Sequence, residues 1–337
     1  MIAPVDSSAT LPETPKPFKV LALYRFAALP DCAALQPELA RFCCARGIRG
    51  TFILAPEGIN GTVAGTPEAI DALAAWFETD RLWAGRLAGA EAKYSWSDEM
   101  PFHRMKVRLK PEIVTLRAPQ ADPSRRVGTY VAPKDWNALI DRNDVLVIDT
   151  RNDYEVALGS FARAADPHTA SFTEFKDYVA KLDPKKTPKV AMFCTGGIRC
   201  EKASAYMLEQ GFPEVFHLQG GILKYLETVP EAESRFAGEC FVFDERVSVT
   251  HGLQEGQAEL CRACRTPMAP DALQDGICQT CHDTGNTARA LERERQMQLA
   301  RERGEAHLGD DAAARAAHNR QLKQARRAAA RDTRPRP

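Results

Sequence analysis

The most informative segment of this 337-residue chain reads Cys194-Thr195-Gly196-Gly197-Ile198-Arg199-Cys200. It joins an apolar run ending at Phe193 to a helical pattern beginning near Cys200. Successive backbone N–H groups of such a loop can turn inward and bind an anion, and the N-terminus of the following helix adds partial positive charge. Arg199 adds a full charge. Each effect favours thiolate over thiol, so the segment predicts a nucleophilic Cys194 assisted by Arg199.

Apolar runs alternate with helical patterns on both sides of this loop. Continuous apolar runs without alternation are typical of strands covered on both faces. Strands separated by helices predict a doubly wound parallel sheet, whose chemistry lies in loops at the carboxyl ends of the strands. The predicted strands are 145–148, 191–193 and 215–218, and the predicted helices include 175–182 and 203–207.

The N-terminal third shows a different order of elements. Strand, helix, strand, strand, helix and strand follow one another, which is the βαββαβ arrangement of a ferredoxin-like domain. A turn between the two central strands is predicted at Asn60-Gly61. The elements are a strand at 20–24, a helix from Asp31, strands at 51–55 and 61–64, a helix from Thr66, and a strand at 103–110.

The last of these strands carries four cations. Its apolar residues are predicted to face the core and its cations to share one open face, because side chains alternate along a strand. Like charges on one face of a strand lower the stability of the sheet, so their presence indicates a polyanionic partner such as RNA. A face that is simply exposed to solvent explains the four cations equally well. The apolar residues are Met105, Val107 and Leu109, and the candidate RNA-binding residues are Arg104, Lys106, Arg108 and Lys110.

Composition excludes several classes of protein. Apolar residues make up 44% and charged residues 27%, with a formal net charge of zero. No stretch approaches the about 18–20 consecutive apolar residues of a membrane helix, and residues 1–19 show no secretory signal. Ten cysteines are too sparse for a disulfide-stapled domain. We therefore expect a cytoplasmic protein in a reducing compartment, with no membrane partner.

Four of the cysteines form two Cys-x-x-Cys pairs separated by thirteen residues. Four thiolates complete a tetrahedral zinc site and leave no open position, so such a zinc is structural. Four reduced cysteines without a metal are the alternative. The predicted ligands of this zinc-ribbon-like segment are Cys261, Cys264, Cys278 and Cys281.

These patterns divide the chain into six parts. The tail has thirteen Lys and Arg against seven Asp and Glu, a surplus of six, so the remainder of the chain carries a charge of −6. The parts are a disordered leader (1–16), a ferredoxin-like domain (17–117), a linker (118–130), a doubly wound domain (131–235), a zinc-binding segment (236–285), and a basic, largely disordered or helical tail (286–337).

The doubly wound part resembles the rhodanese superfamily. The matching residues are the loop 194–200, Asp149-Thr150-Arg151 with Glu155, and Gly220-Gly221. The resemblance implies that Cys194 carries a persulfide and that Asp149 and Arg151 support the domain. It also implies sulfur rather than phosphate chemistry, because phosphatases of this fold have a loop one residue longer. Cys200 replaces the usual Ser or Thr, either as a resolving thiol or as a helix residue without a redox role.

Over about residues 18–283, the chain resembles the bacterial tRNA uridine hydroxylase family. Three separated motifs carry this resemblance: Ala55-Pro56-Glu57-Gly58-Ile59-Asn60-Gly61, the loop Cys-Thr-Gly-Gly-Ile-Arg-Cys-Glu-Lys from Cys194, and the two Cys-x-x-Cys pairs. It implies oxygen-dependent conversion of the wobble uridine of tRNA to 5-hydroxyuridine, with molecular oxygen as co-substrate, tRNA as partner and Cys194 essential. No Gly-x-Gly-x-x-Gly nucleotide motif is found, and the sulfur or electron donor is not identified.

Three functions remain open from the sequence. The first is tRNA uridine hydroxylation, and the second is sulfur transfer from thiosulfate or a persulfide without RNA modification. The third is a non-enzymatic, zinc-stabilised RNA-binding module. The segment Glu57 to Gly61 is either a binding loop beside Cys194 or simply a hairpin turn, and we expect the turn.

Overall fold

The computed structural model of the protein describes residues 16–286 together with residues 288, 292, 295 and 299. The predicted leader, apart from Lys16, and nearly all of the predicted tail therefore lie outside the described residues. Within the described part, no helix combines the length and apolar character needed to cross a membrane.

The first domain is a five-stranded sheet with two helices. The sheet order is β4-β1-β3-β2-β5, in which β5 runs parallel to β2 and the other neighbours are antiparallel. The elements are β1 (Phe18–Phe26), α1 (Cys32–Cys44), β2 (Arg49–Ala55), β3 (Gly58–Gly65), α2 (Pro67–Thr79), β4 (Glu91–Ser97) and β5 (Met105–Leu109). The βαββαβ plan is confirmed, with one strand added.

The added strand corrects the predicted order. The strand predicted at 103–110 is β5, an edge strand beyond the plan, whereas the fourth strand of the plan is β4. Strand β4 was not predicted, although Ala92, Tyr94 and Trp96 alternate with polar residues along it. In the structure its first six residues are all half-buried, so neither face of the strand is fully covered. The prediction that Leu109 faces the core is also wrong, since it is 43% exposed. Met105 at the other end of β5 is buried, and Gln36 of α1 donates to the Val107 carbonyl at 2.8 Å.

The predicted turn at Asn60-Gly61 is wrong as well. The connection between β2 and β3 is Pro56-Glu57, and Gly58 carries the positive φ of +148°. Gly61 lies inside β3, opposite Leu23 and Phe52 on the neighbouring strands. A Cβ added at Gly61 would lie 2.3 Å from the Phe52 ring, so this glycine allows close packing across the sheet.

The two helices cover one face of this sheet only. Leu35 and Leu39 of α1 and Ile70 and Leu73 of α2 pack with Phe52 in a single buried cluster. Within residues 16–286, no helix of the first domain covers the opposite face of the sheet, which turns toward the second domain. We call it the helix-free face. Its residues include Tyr24, Thr51, Ile53, Thr62 and Lys93.

The second domain is the predicted doubly wound parallel sheet, with order β6-β10-β9-β7. Separate apolar clusters cover its two faces, one around α6 and one around α7. The predicted linker packs on this domain, since Ala118 and Ala121 are buried in the first cluster and its last residues form β6. The elements are β6 (Thr129–Val131), α3 (Pro133–Ile140), β7 (Leu146–Asp149), α4 (Asp153–Val156), β8 (Gly159–Phe161), α5 (Phe175–Val179), β9 (Lys189–Phe193), α6 (Ile198–Glu209), β10 (Glu214–Leu218) and α7 (Gly221–Thr228).

The remaining described chain forms short two-stranded ladders that end at the cysteine cluster. The first strand, β11, pairs with β8 and the rest pair with each other. Arg246 within this segment donates to the Ser95 hydroxyl of β4 at 2.9 Å and so reaches back to the first domain. The elements are β11 (Phe236–Gly238), β12 (Cys240–Phe241), β13 (Ser248–Val249), β14 (Glu259–Leu260), β15 (Pro267–Met268), β16 (Leu273–Gln274), β17 (Ile277–Cys278) and α8 (Gln279–Asp283).

Candidate active site

The loop 194–200 lies at the carboxyl end of β9, where the sequence predicts it. Helix α6 begins at Ile198, two residues earlier than predicted, so Cys200 lies in its first turn. Gly197 precedes the helix with a φ of +100°, a conformation that glycine adopts without strain. Its N–H donates to the Cys194 sulfur at 3.1 Å. The backbone thus curls around the sulfur.

A second glycine pair brings another helix against the same loop. Gly221, the first residue of α7, has a φ of +67°, and a Cβ there would lie 2.5 Å from the Cys194 carbonyl oxygen. The N–H groups of Ile222 and Leu223 donate to the carbonyls of Cys194 and Thr195, each at 3.0 Å. The loop is therefore fixed on its outer side as well, which holds the sulfur in one position.

The environment of Cys194 stabilises its anionic form. The residue is 2% exposed, and burial alone would raise the pKa of its thiol. The Cys200 thiol, the Arg199 charge and the N–H groups of both residues outweigh burial and lower the pKa of Cys194 to about 6. A thiol with that pKa is mostly thiolate at neutral pH, which makes it a nucleophile.

Cys200 acts on the sulfur of Cys194 as a hydrogen-bond donor. It is fully buried, and burial together with the Cys194 contacts raises its own pKa well above the usual value. Its sulfur lies 3.7 Å from the Thr150 hydroxyl. The second cysteine of the loop therefore keeps its proton and shares it with the first.

Arg199 is held beside the loop by a buried carboxylate. Its Nη1 lies 2.8 Å from Oε2 of Glu155, whose side chain is fully buried. Glu155 is fixed by the capping box of α4, and its Oε1 accepts from the Thr195 hydroxyl at 3.3 Å. This chain of contacts aims the guanidinium at the loop and explains why Glu155 follows Asp149-Thr150-Arg151 in the sequence.

Asp149 and Arg151 form a fully buried ion pair behind the loop, with Nη2 and Oδ2 at 2.6 Å. Asp149 also accepts from the Ser160 hydroxyl at 2.7 Å, and Arg151 donates to the Gly159 carbonyl at 2.5 Å. The pair ties the end of β7 to β8. Because buried charges are stable only when paired, it fixes the geometry of this sheet edge.

A cavity of about 460 Å³ separates the Cys194 loop from the helix-free face of the first domain. Its size lies within the roughly 300–1,000 Å³ of ligand pockets in proteins. The second domain contributes Cys194, Thr195, Gly196, Ile198, Arg199 and Leu223 to its lining. The first domain contributes Tyr24, Thr51, Asn60, Thr62, Lys93 and Lys110. The reactive sulfur therefore opens into a space between two domains.

The two residues after the loop, Glu201 and Lys202, hold the domains together. Glu201 accepts from the Tyr24 hydroxyl at 3.0 Å, and burial raises the pKa of its carboxyl group. Lys202 is 3% exposed and lies 2.9 Å from Glu57 and 2.6 Å from Glu112. Glu57 belongs to the segment predicted as a hairpin turn, so that segment lies beside the cavity and contacts the loop helix.

The cationic strand reaches the mouth of this cavity. Lys110 lines the cavity, Lys106 is half-buried, and Arg104 and Arg108 are exposed. Lys106 and Arg108 stand opposite Thr51 and Ile53 of β2, so they share the helix-free face. Burial, followed by repulsion from Arg104 and Arg108, lowers the pKa of Lys106.

The four predicted metal ligands come together at the end of the described chain. The sulfurs of Cys261, Cys264, Cys278 and Cys281 all lie within 4.8 Å of one another. The Cys264 and Cys278 sulfurs are 3.9 Å apart, close to the about 3.8 Å that separates ligands around a tetrahedral ion with Zn–S bonds of about 2.3 Å. The cluster therefore fits one metal ion.

Comparison with known proteins agrees with this architecture. The UPF0176 acylphosphatase like domain matches residues 18–113, and the rhodanese-like domain matches residues 132–228. A relative from Mesorhizobium japonicum is 56% identical over 87% of this chain and 97% of its own length. A relative from Brucella anthropi is 53% identical over 87% of this chain and 98% of its own. Both are named tRNA uridine(34) hydroxylase.

The chain belongs to the tRNA uridine(34) hydroxylase family. The resemblance drawn from the three motifs is thereby confirmed, as are the ferredoxin-like and rhodanese fold classes. Sequence reasoning missed Tyr24, Lys93, Glu201 and Lys202 as members of the site. Glu201 and Lys202 end the quoted loop motif, whereas Tyr24 and Lys93 lie in strands without any local signal.

The thiolate can be tested by alkylation. Arg199→Met removes a cation beside the sulfur, so we expect the pKa of Cys194 to rise by about one unit or more. The pH midpoint of iodoacetamide modification, followed on the Cys194 peptide by mass spectrometry, should lie near 6 in the native protein and higher in the variant. Arg41→Met, at a side chain 68% exposed on α1, should keep the native midpoint. Equal midpoints in all three proteins would contradict the role of Arg199.

Proposed function

We propose that this protein uses Cys194 to hydroxylate C5 of the wobble uridine of tRNA, with molecular oxygen as co-substrate. The observation that carries the proposal is a buried thiolate at the wall of a cavity, in a chain that matches nearly the whole length of relatives named tRNA uridine(34) hydroxylase. A base in the single-stranded anticodon loop can enter such a pocket without first leaving a duplex.

Each part of the loop has a role in this proposal. Cys194 and Arg199 are the catalytic residues, and the segment Thr195 to Cys200 supplies the backbone N–H groups and the thiol that stabilise the sulfur anion. Asp149 and Arg151 support the loop from behind. The contacts of 3.1 Å from Gly197 and 2.6 Å within the buried pair support these assignments.

The tRNA would approach along the cationic strand. Arg104, Lys106, Arg108 and Lys110 run along the helix-free face to the cavity, so phosphates beside the target nucleotide would find positive charge there. A tRNA substrate also suits a cytoplasmic protein, which is where we propose it acts.

The four-cysteine cluster would hold a structural zinc. Four thiolates favour zinc and fill its tetrahedral shell, so this ion would stabilise the C-terminal segment and bind no water. Backbone N–H groups outweigh burial and lower the pKa of Cys261 to about 6, which fits a thiolate ligand.

Nucleoside analysis tests the hydroxylase function. Deleting the gene should abolish 5-hydroxyuridine in tRNA, and the native gene should restore it. Cys194→Ser should fail to restore it because the nucleophile is lost, whereas Cys44→Ser on α1 should restore it fully. Modification that persists with Cys194→Ser would refute the catalytic assignment. Thiocyanate production from thiosulfate and cyanide by a protein that leaves tRNA unmodified would instead favour sulfur transfer.

The cationic strand can be tested by the salt dependence of tRNA binding. Lys106→Gln with Arg108→Gln should weaken binding and lower the slope of log Kd against log salt by about one for each lost phosphate contact. The matched control is Arg41→Gln with Arg81→Gln, two exposed cations outside the helix-free face. Identical slopes for the two double variants would refute the interface.

Metal analysis tests the cysteine cluster. The purified protein should contain about one zinc per chain, and Cys278→Ser should lower both the zinc content and the melting temperature. Cys44→Ser, in a different domain, should leave the zinc content unchanged. A metal-free native protein with an unchanged melting temperature in chelator would show that the four cysteines are simply reduced.

A further inference from the structure

Lys93 is the most unusual charged residue in the cavity. It lies on β4 of the first domain, and its side chain is 8% exposed. Among the described residues its ammonium has no hydrogen-bond acceptor, and the nearest carboxylate is Glu91 at 4.0 Å. Its Nζ also lies 5.5 Å from the centre of the Tyr24 ring. The side chain is thus mostly covered while it lines the cavity, and titratable groups placed in this way mark functional sites.

The charges around Lys93 include the reactive sulfur. Glu91 precedes it on its own strand, Lys224 and Glu227 face it from α7, and Cys194 faces it from the loop. Burial lowers the pKa of Lys93, while Glu91 and Cys194 raise it. An anionic sulfur and an ammonium therefore line one cavity of about 460 Å³ from opposite domains.

This pair of charges matches the reactivity of a uracil ring. In uracil, C6 and the carbonyl oxygen O4 are the two ends of one conjugated system, with C5 between them. A nucleophile that adds to C6 pushes electron density onto C5 and O4. A cation at O4 stabilises the charge that develops there, as an oxyanion hole does.

We propose that Cys194 and Lys93 activate the target uracil by conjugate addition, an inference that rests on the proposed function. The sulfur anion forms a bond to C6, the C5–C6 π pair moves to C5–C4, and the C4–O4 π pair moves onto O4. No proton is transferred and no oxidant is consumed. The ammonium of Lys93 holds the resulting enolate, and its nucleophilic C5 is the atom that the family's reaction hydroxylates.

The same contact selects the base. Uracil presents an acceptor at O4, whereas cytosine presents an amino donor at the equivalent position. Lys93 has only donors, so cytosine would leave both groups without a partner. Lys93 is therefore a specificity-determining residue as well as a catalytic one.

Hydrogen exchange at C5 tests the addition without oxygen. The enolate can take a deuteron from D₂O at C5; loss of the original C5 proton and departure of the sulfur then restore uracil with one deuterium. The probe is a tRNA transcript with uridine at position 34, incubated anaerobically with full-length protein and analysed as the anticodon-loop fragment. Native protein should add one mass unit to this fragment, and Cys194→Ser should add none.

Lys93→Met, which matches the side-chain length without its charge, should slow this exchange by about 100-fold, as the loss of one oxyanion-stabilising donor does. Lys93→Arg keeps the charge and should stay within about tenfold of native. Lys189→Met is the matched control, since Lys189 pairs with Asp144 at 2.9 Å at the opposite end of β9. If melting shows Lys93→Met unfolded, Lys93→Gln takes its place.

Parallel assays with oxygen separate this inference from the proposed function. Hydroxylation without anaerobic exchange would overturn conjugate addition and leave the hydroxylase intact, whereas absence of both would overturn the hydroxylase. Native exchange rates in Lys93→Met would overturn the role of Lys93. The pH midpoint of Cys194 alkylation is also measured in Lys93→Met. If this midpoint rises enough to account for the slower exchange, the role of Lys93 at O4 is overturned, because Lys93 would then only stabilise the thiolate.

Discussion

The site depends on keeping a sulfur anion stable at a side chain that is almost completely buried. Burial disfavours the negative charge on Cys194. The Cys200 thiol, the Arg199 guanidinium and backbone N–H groups stabilise this charge. Arg199 in turn needs the buried Glu155, which needs the capping box of α4. The loop, Arg199, Glu155 and α4 thus form a series of contacts that stabilises the sulfur of Cys194.

The first domain forms part of the site, because its sheet provides one wall of the cavity beside Cys194. Its helices cover one face of the sheet, which leaves the other face to form a wall of the cavity. Glu201 and Lys202 fix that wall through Tyr24, Glu57 and Glu112. Both residues lie in α6, the helix that begins within the Cys194 loop. Their contacts therefore fix the distance between the cavity wall and the Cys194 sulfur.

The sequence predicted those parts of the protein that are determined by residues close together in the chain. The loop, the buried parallel strands and the paired cysteines are each specified by residues close in sequence, and all were found. Strand β4 was missed although its own signal is local, since Ala92, Tyr94 and Trp96 alternate with polar residues along it. Asn60-Gly61 was mistaken for a turn because close packing between strands and a tight turn both favour glycine. Lys93 could not be found at all, since its importance comes from a domain that begins more than thirty residues later.

The division of the cavity between two folds also bears on the chemical lifetime of the sulfur. A thiolate is oxidised stepwise to sulfenic, sulfinic and sulfonic acids, and the later steps are irreversible. With its partner wall in place Cys194 is 2% exposed, so peroxide in bulk water has little access to it. The joining of the two folds in one chain therefore protects the sulfur against irreversible oxidation.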